Sequence, residues 1–455
     1  MGEQARPDRA ARFSGGAPAL ATRTTADLAR LEAFVAAQGG ELLDWRYKGF
    51  GSLPASPTVQ QVRDHGLRLF DLGTPMMTID ESAVADNLMA MSDWCAASGV
   101  RLAPHGKTTM APLLWLGQLL AGCTAITVAN ATELRAARAF GVSSIHLANE
   151  LVRPGDVAWV AKEMASDPDF DFMAWVDSTA AVRLMDAAVP TGAPPVSVCV
   201  EVGARGGRTG VRTVAAALEV AASVREATHL RLAGVSGYEG AVPGADTDAD
   251  GLRAVDEFLR LMVAVYESLD GRYEIARPTI TAGGSAYFDR VAAVLGPLAR
   301  STSAPVDVLL RSGAYVVHDD LHYRRVTPST RSAGPTLRSA IHVWATVLSR
   351  PEADLAILDA GRRDLPFDLG LPLVLAASRG AGGEKVAIGP ASMRGLNDQH
   401  GFVRLEESSN LGVGDVVKLG LSHPCTAFDK WRAIPLVASA ADPNPWVTDV
   451  ALTYF

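Results

Sequence analysis

The chain has 455 residues, 48% of them hydrophobic, and a formal net charge of −8. That length exceeds one ordinary core at roughly 100–200 residues per domain, so two domains are expected. The acidic balance, with no sustained basic run, argues against nucleic acid and against an anionic membrane surface. No stretch reaches the roughly 18 unbroken apolar residues of a spanning helix.

Residues 1 to about 25, rich in Gly, Ala, Arg and Pro, read as a mobile tail. They contain no long apolar core and so do not read as a secretory signal. The segment "TTADLARLEAFVAAQ" reads as a helix without a motif. The short strand "PMMTI" then leads into a helix starting near Asp80 or Ser82, either of which can cap it.

Apolar strand-like runs follow at "RLAP", "CTAITVA", "SSIHLA", "FDFMAWVD", "VSVCVEVG", "LRLAGVSG", "PTITAGG" and "VDVLLRSG", separated by Ala- and Leu-rich helical stretches. Strands alternating with helices imply a parallel sheet. Eight such units fit a closed (β/α)8 barrel, with an open doubly wound sheet as the alternative. After about Arg331 the runs are short, β-rich and separated by Gly, Pro and Asp turns, which predicts a mostly antiparallel β domain. The expected organisation is an N-terminal tail and helical extension over 1–72, a barrel over 73–330 and a β domain over 331–455.

The four cysteines, Cys95, Cys123, Cys199 and Cys425, form no C-x-x-C. A disulfide framework is not indicated, and a reducing, cytoplasmic setting is expected.

Of six lysines, one sits inside "HGKTT". A P-loop would need glycine five residues before Gly106, where Arg101 stands, so its backbone cradle is missing. A Schiff-base lysine and a solvated surface lysine remain. In the barrel reading Lys107 follows the first strand and lies at the carboxyl end, where such barrels place their chemistry. The same mouth collects Arg205 and Arg208 after strand five, Tyr238 after strand six, and the small turns "TAGGS" and "RSGAY" after strands seven and eight. Turns of this kind can bind a phosphate through backbone N–H groups. A Schiff-base lysine facing a phosphate nest points to pyridoxal 5′-phosphate.

These stretches resemble the fold-type III pyridoxal-phosphate enzymes, the alanine racemase-like barrels, and more narrowly the D-serine dehydratase and D-threonine aldolase group. The residues that carry the likeness are "PHGKT", "GRTGV", "GYEG", "AGGS", "RSGAYVVHD" and "SHPCTAFDKW". It runs from about Gly73 to the C-terminus. The resemblance implies that Lys107 is the Schiff-base lysine, that Arg208 contacts the phenolic oxygen and that Tyr238 lies by the pyridine nitrogen. It also implies that Gly283, Gly284, Ser285 and Gly313 hold the phosphate with Tyr315 close by. "EVGARGG" departs from the pattern, because it lacks an acidic residue shortly after Glu201-Val202.

In "SHPC", His423 and Cys425 stand two apart in a segment that reads as β, so both would face one side. Spacing alone leaves a buried thiol beside a hydrogen-bonded histidine as the alternative. The resemblance implies a divalent metal on this pair, and a thiolate with an imidazole suits zinc better than manganese or another harder ion. The reaction implied is zinc-assisted dehydration of a D-3-hydroxy amino acid, D-serine first, to pyruvate and ammonia. Retro-aldol cleavage of D-threonine-like substrates is the alternative, and a racemase or a non-catalytic pyridoxal-phosphate-binding protein stands behind both. The resemblance also implies a homodimer. His318 and His400 are weaker candidates for orienting a substrate carboxylate.

Overall fold

The computed structural model of the protein describes residues 22–300 and 305–455. The expected tail over 1 to about 25 therefore falls, through residue 21, outside the described residues. The motif-free helix is present as Thr22–Ala37. Its Arg30 donates to Gly141 O at 3.1 Å and to Ser143 Oγ at 2.6 Å, which ties the extension to the barrel. Gln38 Nε2 donates to the hydroxyl of Tyr454 at 2.8 Å, so the two ends of the described chain meet.

Strand β1 (Leu67–Arg68) is followed by β2 (Met76–Asp80) and by the helix Glu81–Ser98. Asp80 is the cap, because its carboxylate accepts from Ala83 N–H at 3.0 Å, while Ser82 donates its hydroxyl to the same oxygen. The eight expected barrel strands follow as β3 (Arg101–Leu102), β4 (Ile126–Val128), β5 (Ser144–Glu150), β6 (Asp171–Val176), β7 (Val196–Val202), β8 (Leu230–Gly237), β9 (Thr279–Ala282) and β10 (Asp307–Leu310). They form one parallel sheet in the order β3-β10-β9-β8-β7-β6-β5-β4. Its two ends meet, since Thr124 N–H donates to Leu102 O and Thr127 N–H to Pro104 O, both at 2.9 Å. The sheet thus curls onto itself in the alanine racemase manner, and the open doubly wound alternative does not hold.

The second sheet contains β11 (Ile341–Glu352), β12 (Leu355–Leu358), β13 (Leu373–Ser378), β14 (Ala391–Leu396), β15 (Gly401–Leu405), β16 (Val416–Gly420), β17 (Ala433–Val437) and β18 (Trp446–Leu452). Its path runs β1-β18-β17-β2-β11-β12-β15-β14, with β16 paired to β11 and β13, and it is antiparallel apart from β17 beside β2. Strand β2 therefore precedes the barrel in sequence but pairs inside the β domain. A local run such as "PMMTI" carries no mark of its partner strand.

Candidate active site

The carboxyl ends of the barrel strands surround a cavity of about 440 Å³ lined by residues from both domains, including Lys107, Arg208, Tyr238, Gly283, Gly284, Ser285, Gly313, His423 and Cys425. Seven of these, from Lys107 to Gly313, follow strands of the barrel at the mouth expected from the sequence, and His423 and Cys425 reach it from the β domain. Tyr315 does not line it. Burial carries its ring into the core, with its hydroxyl 3.6 Å from Cys123 Sγ, beside a separate cavity. Arg205 and His318 do not line it either, and His400 is exposed on the β domain.

The lysine turn is set by packing. Gly106–Thr108 forms one 3₁₀ turn, and a Cβ at Gly106 would lie 2.4 Å from Cζ2 of the buried Trp115. Only glycine lets the turn lie flat on that ring. A Cβ at Gly313 would lie 2.3 Å from His105 O, so the turn after β10 presses backbone to backbone on the lysine turn. Lys107 itself is exposed to the cavity and makes no hydrogen bond or ion pair among the described residues.

Arg311, at the end of β10, was passed over as part of a small turn. It is buried, donates to Thr281 Oγ1 at 2.6 Å and to Gly237 O at 2.7 Å, and lies 4.8 Å over the Trp175 ring. Burial pulls its guanidinium down to about 10, so it stays charged at neutral pH. An arginine closing the apolar run "VDVLL" was the available signal. Arg208 lies 5.1 Å over the Tyr238 ring, and burial, then the Glu239 charge, push the Tyr238 hydroxyl up to about 12. In the loop after β7, Arg212 donates to Thr209 O at 2.8 Å, Gly210 O at 2.6 Å and Arg208 O, while Glu201 accepts the Thr209 hydroxyl at 3.0 Å and Asp177 accepts Gly210 N–H at 3.1 Å.

Gly283 and Gly284 reach the cavity, but their N–H groups donate to the buried Glu239 carboxylate at 3.0 and 2.6 Å. A carboxylate sealed from water needs such donors. The Ser285 hydroxyl and the turn at Gly313 are left to face a phosphate. The residues fit pyridoxal phosphate on three counts. Among the described residues the lining carries Lys107, Arg208 and Arg311 with no carboxylate, the buried Nδ1 of His105 has no partner, and the glycine turns admit close backbone approach.

His423 and Cys425 do not lie on a strand. β16 ends at Gly420, and Pro424–Phe428 is a short helix with His423 as its N-cap residue at φ 51°. Proline at the first helical position presets the turn, and the left-handed His423, not strand alternation, brings imidazole and thiol together. A non-glycine residue there costs about 1–2 kcal/mol, and carboxylates hold it. Asp319 accepts His423 N–H at 3.0 Å as well as Leu321 and Tyr323 N–H. Asp368 Oδ2 lies 2.5 Å from His423 Nδ1. The Cys425 sulfur, before Asp368, pushes the imidazole up to about 9. Cys425 Sγ lies 3.6 Å from Thr108 Oγ1, the residue after the lysine. Imidazole and thiol are a donor set that suits zinc. Tyr323, missed by sequence reading, closes this side of the cavity.

Comparison with known proteins matches residues 79–292 to the alanine racemase N-terminal domain and residues 340–437 to a putative serine dehydratase domain. A D-threonine aldolase of Arthrobacter sp. is 28% identical over 82% of this chain and 91% of its own. A 3-hydroxy-D-aspartate aldolase of Paracoccus denitrificans is 24% identical over 79% of this chain and 87% of its own. The crystal structure of D-threonine aldolase from Filomicrobium marinum superposes with a TM-score of 0.69 at 25% identity, covering 84% of this chain and 97% of that one. The chain thus joins an alanine racemase N-terminal domain to a serine dehydratase-like domain, on the fold-type III pyridoxal-phosphate pattern.

Proposed function

We propose that the protein is a pyridoxal-phosphate- and zinc-dependent lyase of D-3-hydroxy amino acids, with dehydration of D-serine to pyruvate and ammonia as its reaction. The observation that carries the reading is one cavity lined both by the unpaired amine of Lys107 and by the His423–Cys425 pair. Lys107, Arg208, Tyr238, Ser285 and Gly313 would hold pyridoxal phosphate, which would supply an electron sink for bonds at Cα. A divalent cation held by His423 and Cys425 supplies Lewis acidity toward a β-hydroxyl.

The chain's own groups do the rest. Once the substrate's amine has displaced it from the cofactor, Lys107 Nζ would accept the Cα proton, and as the one lysine in the lining it would offer a base to a single face of Cα, which suits one configuration. Arg311 and Trp175 keep the floor rigid and charged. His105 stays neutral, since burial and the charges of Lys107, Arg311 and Arg208 hold its imidazole well below the usual range, so it does not compete as an acid.

The second reading is cleavage of the Cα–Cβ bond, supported by the names of the two aldolase relatives. With either reading we propose a cytoplasmic homodimer, the dimer from the family resemblance and the compartment from four free cysteines, which suit a reducing setting. Among the described residues no helix is long and apolar enough to cross a membrane. The test is a panel of D-serine, D-threonine and D-threo-3-hydroxyaspartate, with ammonia and keto acid measured beside aldehyde and glycine. Keto acid and ammonia from D-serine support dehydration. Aldehyde and glycine from D-threonine, with D-serine inert, support the second reading. No turnover of any of the three contradicts both.

A further inference from the structure

We infer that Asp368 is a positioning residue for the metal pair: it fixes the tautomer and the angle of the His423 ring without touching the metal. The inference rests on His423 and Cys425 holding a divalent cation. Asp368 comes from the loop between β12 and β13, a separate stretch of chain from the His423 turn.

The two oxygens of Asp368 are both used, and both on that turn. Oδ2 lies 2.5 Å from His423 Nδ1, and Oδ1 accepts the hydroxyl of Thr426 at 2.8 Å. The same hydroxyl lies 3.3 Å from His423 O, a weaker second acceptor for its one hydrogen, so the carboxylate is tied to both the ring and the turn. A carboxylate accepts only, so the proton between Asp368 and the ring sits on Nδ1. The remaining nitrogen, Nε2, is the one left for a cation, which would take its lone pair by displacing the proton there. His423 and Cys425 line the cavity whereas Asp368 does not, which places the carboxylate behind the ring. The backbone needs this support from outside, because a left-handed histidine on a short helix has little local structure to hold its χ angles. Carboxylates behind a ligating imidazole raise its basicity and typically change metal affinity about 10–100-fold.

The experiment uses the full-length protein with pyridoxal phosphate bound, stripped of metal and titrated with Co²⁺. Binding is followed by the thiolate-to-cobalt absorption band, and zinc affinity by competition against a chelating dye. Asp368→Ala should bind both metals about 10–100-fold more weakly, while the cobalt spectrum at saturation matches the wild type, because the ligand set is unchanged. Asp368→Asn, whose amide oxygen can still accept from Nδ1–H, should recover part of the loss. Affinity within twofold of wild type in Asp368→Ala overturns the inference. So does a changed cobalt spectrum at saturation, which would make Asp368 a ligand. If the wild type shows no thiolate band and His423→Ala binds cobalt as well as it does, the metal reading itself fails and this inference falls with it.

Discussion

Lys107 and His423 reach one cavity from two domains, and they are held there by different physics. The lysine turn is wedged by close contact: Gly106 lies on Trp115, and Gly313 presses on His105 O. Among the described residues the amine makes no hydrogen bond or ion pair. The histidine turn is held by carboxylates, with Asp319 on its backbone N–H and Asp368 on its ring. On the proposed function, the group that bonds the cofactor is positioned by shape. A group that must present a lone pair is positioned by hydrogen bonds that fix where its proton sits.

The largest effect should come from the metal side. Cys425→Ala should leave pyridoxal phosphate bound, since the lysine turn is untouched, but lower turnover at least about a hundredfold, roughly 2.7 kcal/mol of transition-state stabilisation. A chelator should reproduce the loss in wild type, and zinc should reverse it. Cys425→Asp should restore a metal site with a preference shifted toward manganese. Wild-type turnover by Cys425→Ala in chelator would remove the metal from the reaction.

On the other side, Gly106→Ala tests whether packing holds the lysine. The added methyl meets the Trp115 ring, and overpacking of this kind costs about 1–3 kcal/mol. Thermal unfolding should register that loss, and cofactor affinity should fall with it. An unchanged melting temperature would mean that the turn yields easily and that shape is not what fixes Lys107.

A smaller effect belongs to electrostatics at the carboxyl ends of β5, β6 and β7. Glu150, Asp177 and Glu201 bring their carboxylates within 4.8 Å of one another. Burial, then Glu201, push the Glu150 carboxyl up to about 8. A folded value above the unfolded one, about 4.3, means the folded state binds the extra proton. Its stabilising share is complete below about pH 4 and is lost as pH rises through about 8. Glu150→Gln should flatten the fall in melting temperature across that window. An equally steep fall would assign the dependence to other groups.

Much of this was legible in the chain. The eight barrel strands stand out as apolar runs between amphipathic helices, and the special residues follow their carboxyl ends. Pairing was not legible, so β2 reads as the start of the barrel although it lies in the other sheet. Pro424 already marked a helix start after His423, but the surrounding β texture hid it. Tyr315 sits next to a cavity-facing turn, and nothing local says that its ring turns into the core. Asp368 lies 55 residues from the histidine it supports, in a loop with no motif, so only folding shows the contact.

The assignment of Lys107 carries the rest, and borohydride reduction of the purified holoprotein tests it most directly. The yellow colour should bleach, and peptide mapping should find the pyridoxyl group on Lys107 alone. A pyridoxyl group on Lys162 or Lys430, with Lys107 unlabelled, would contradict the account.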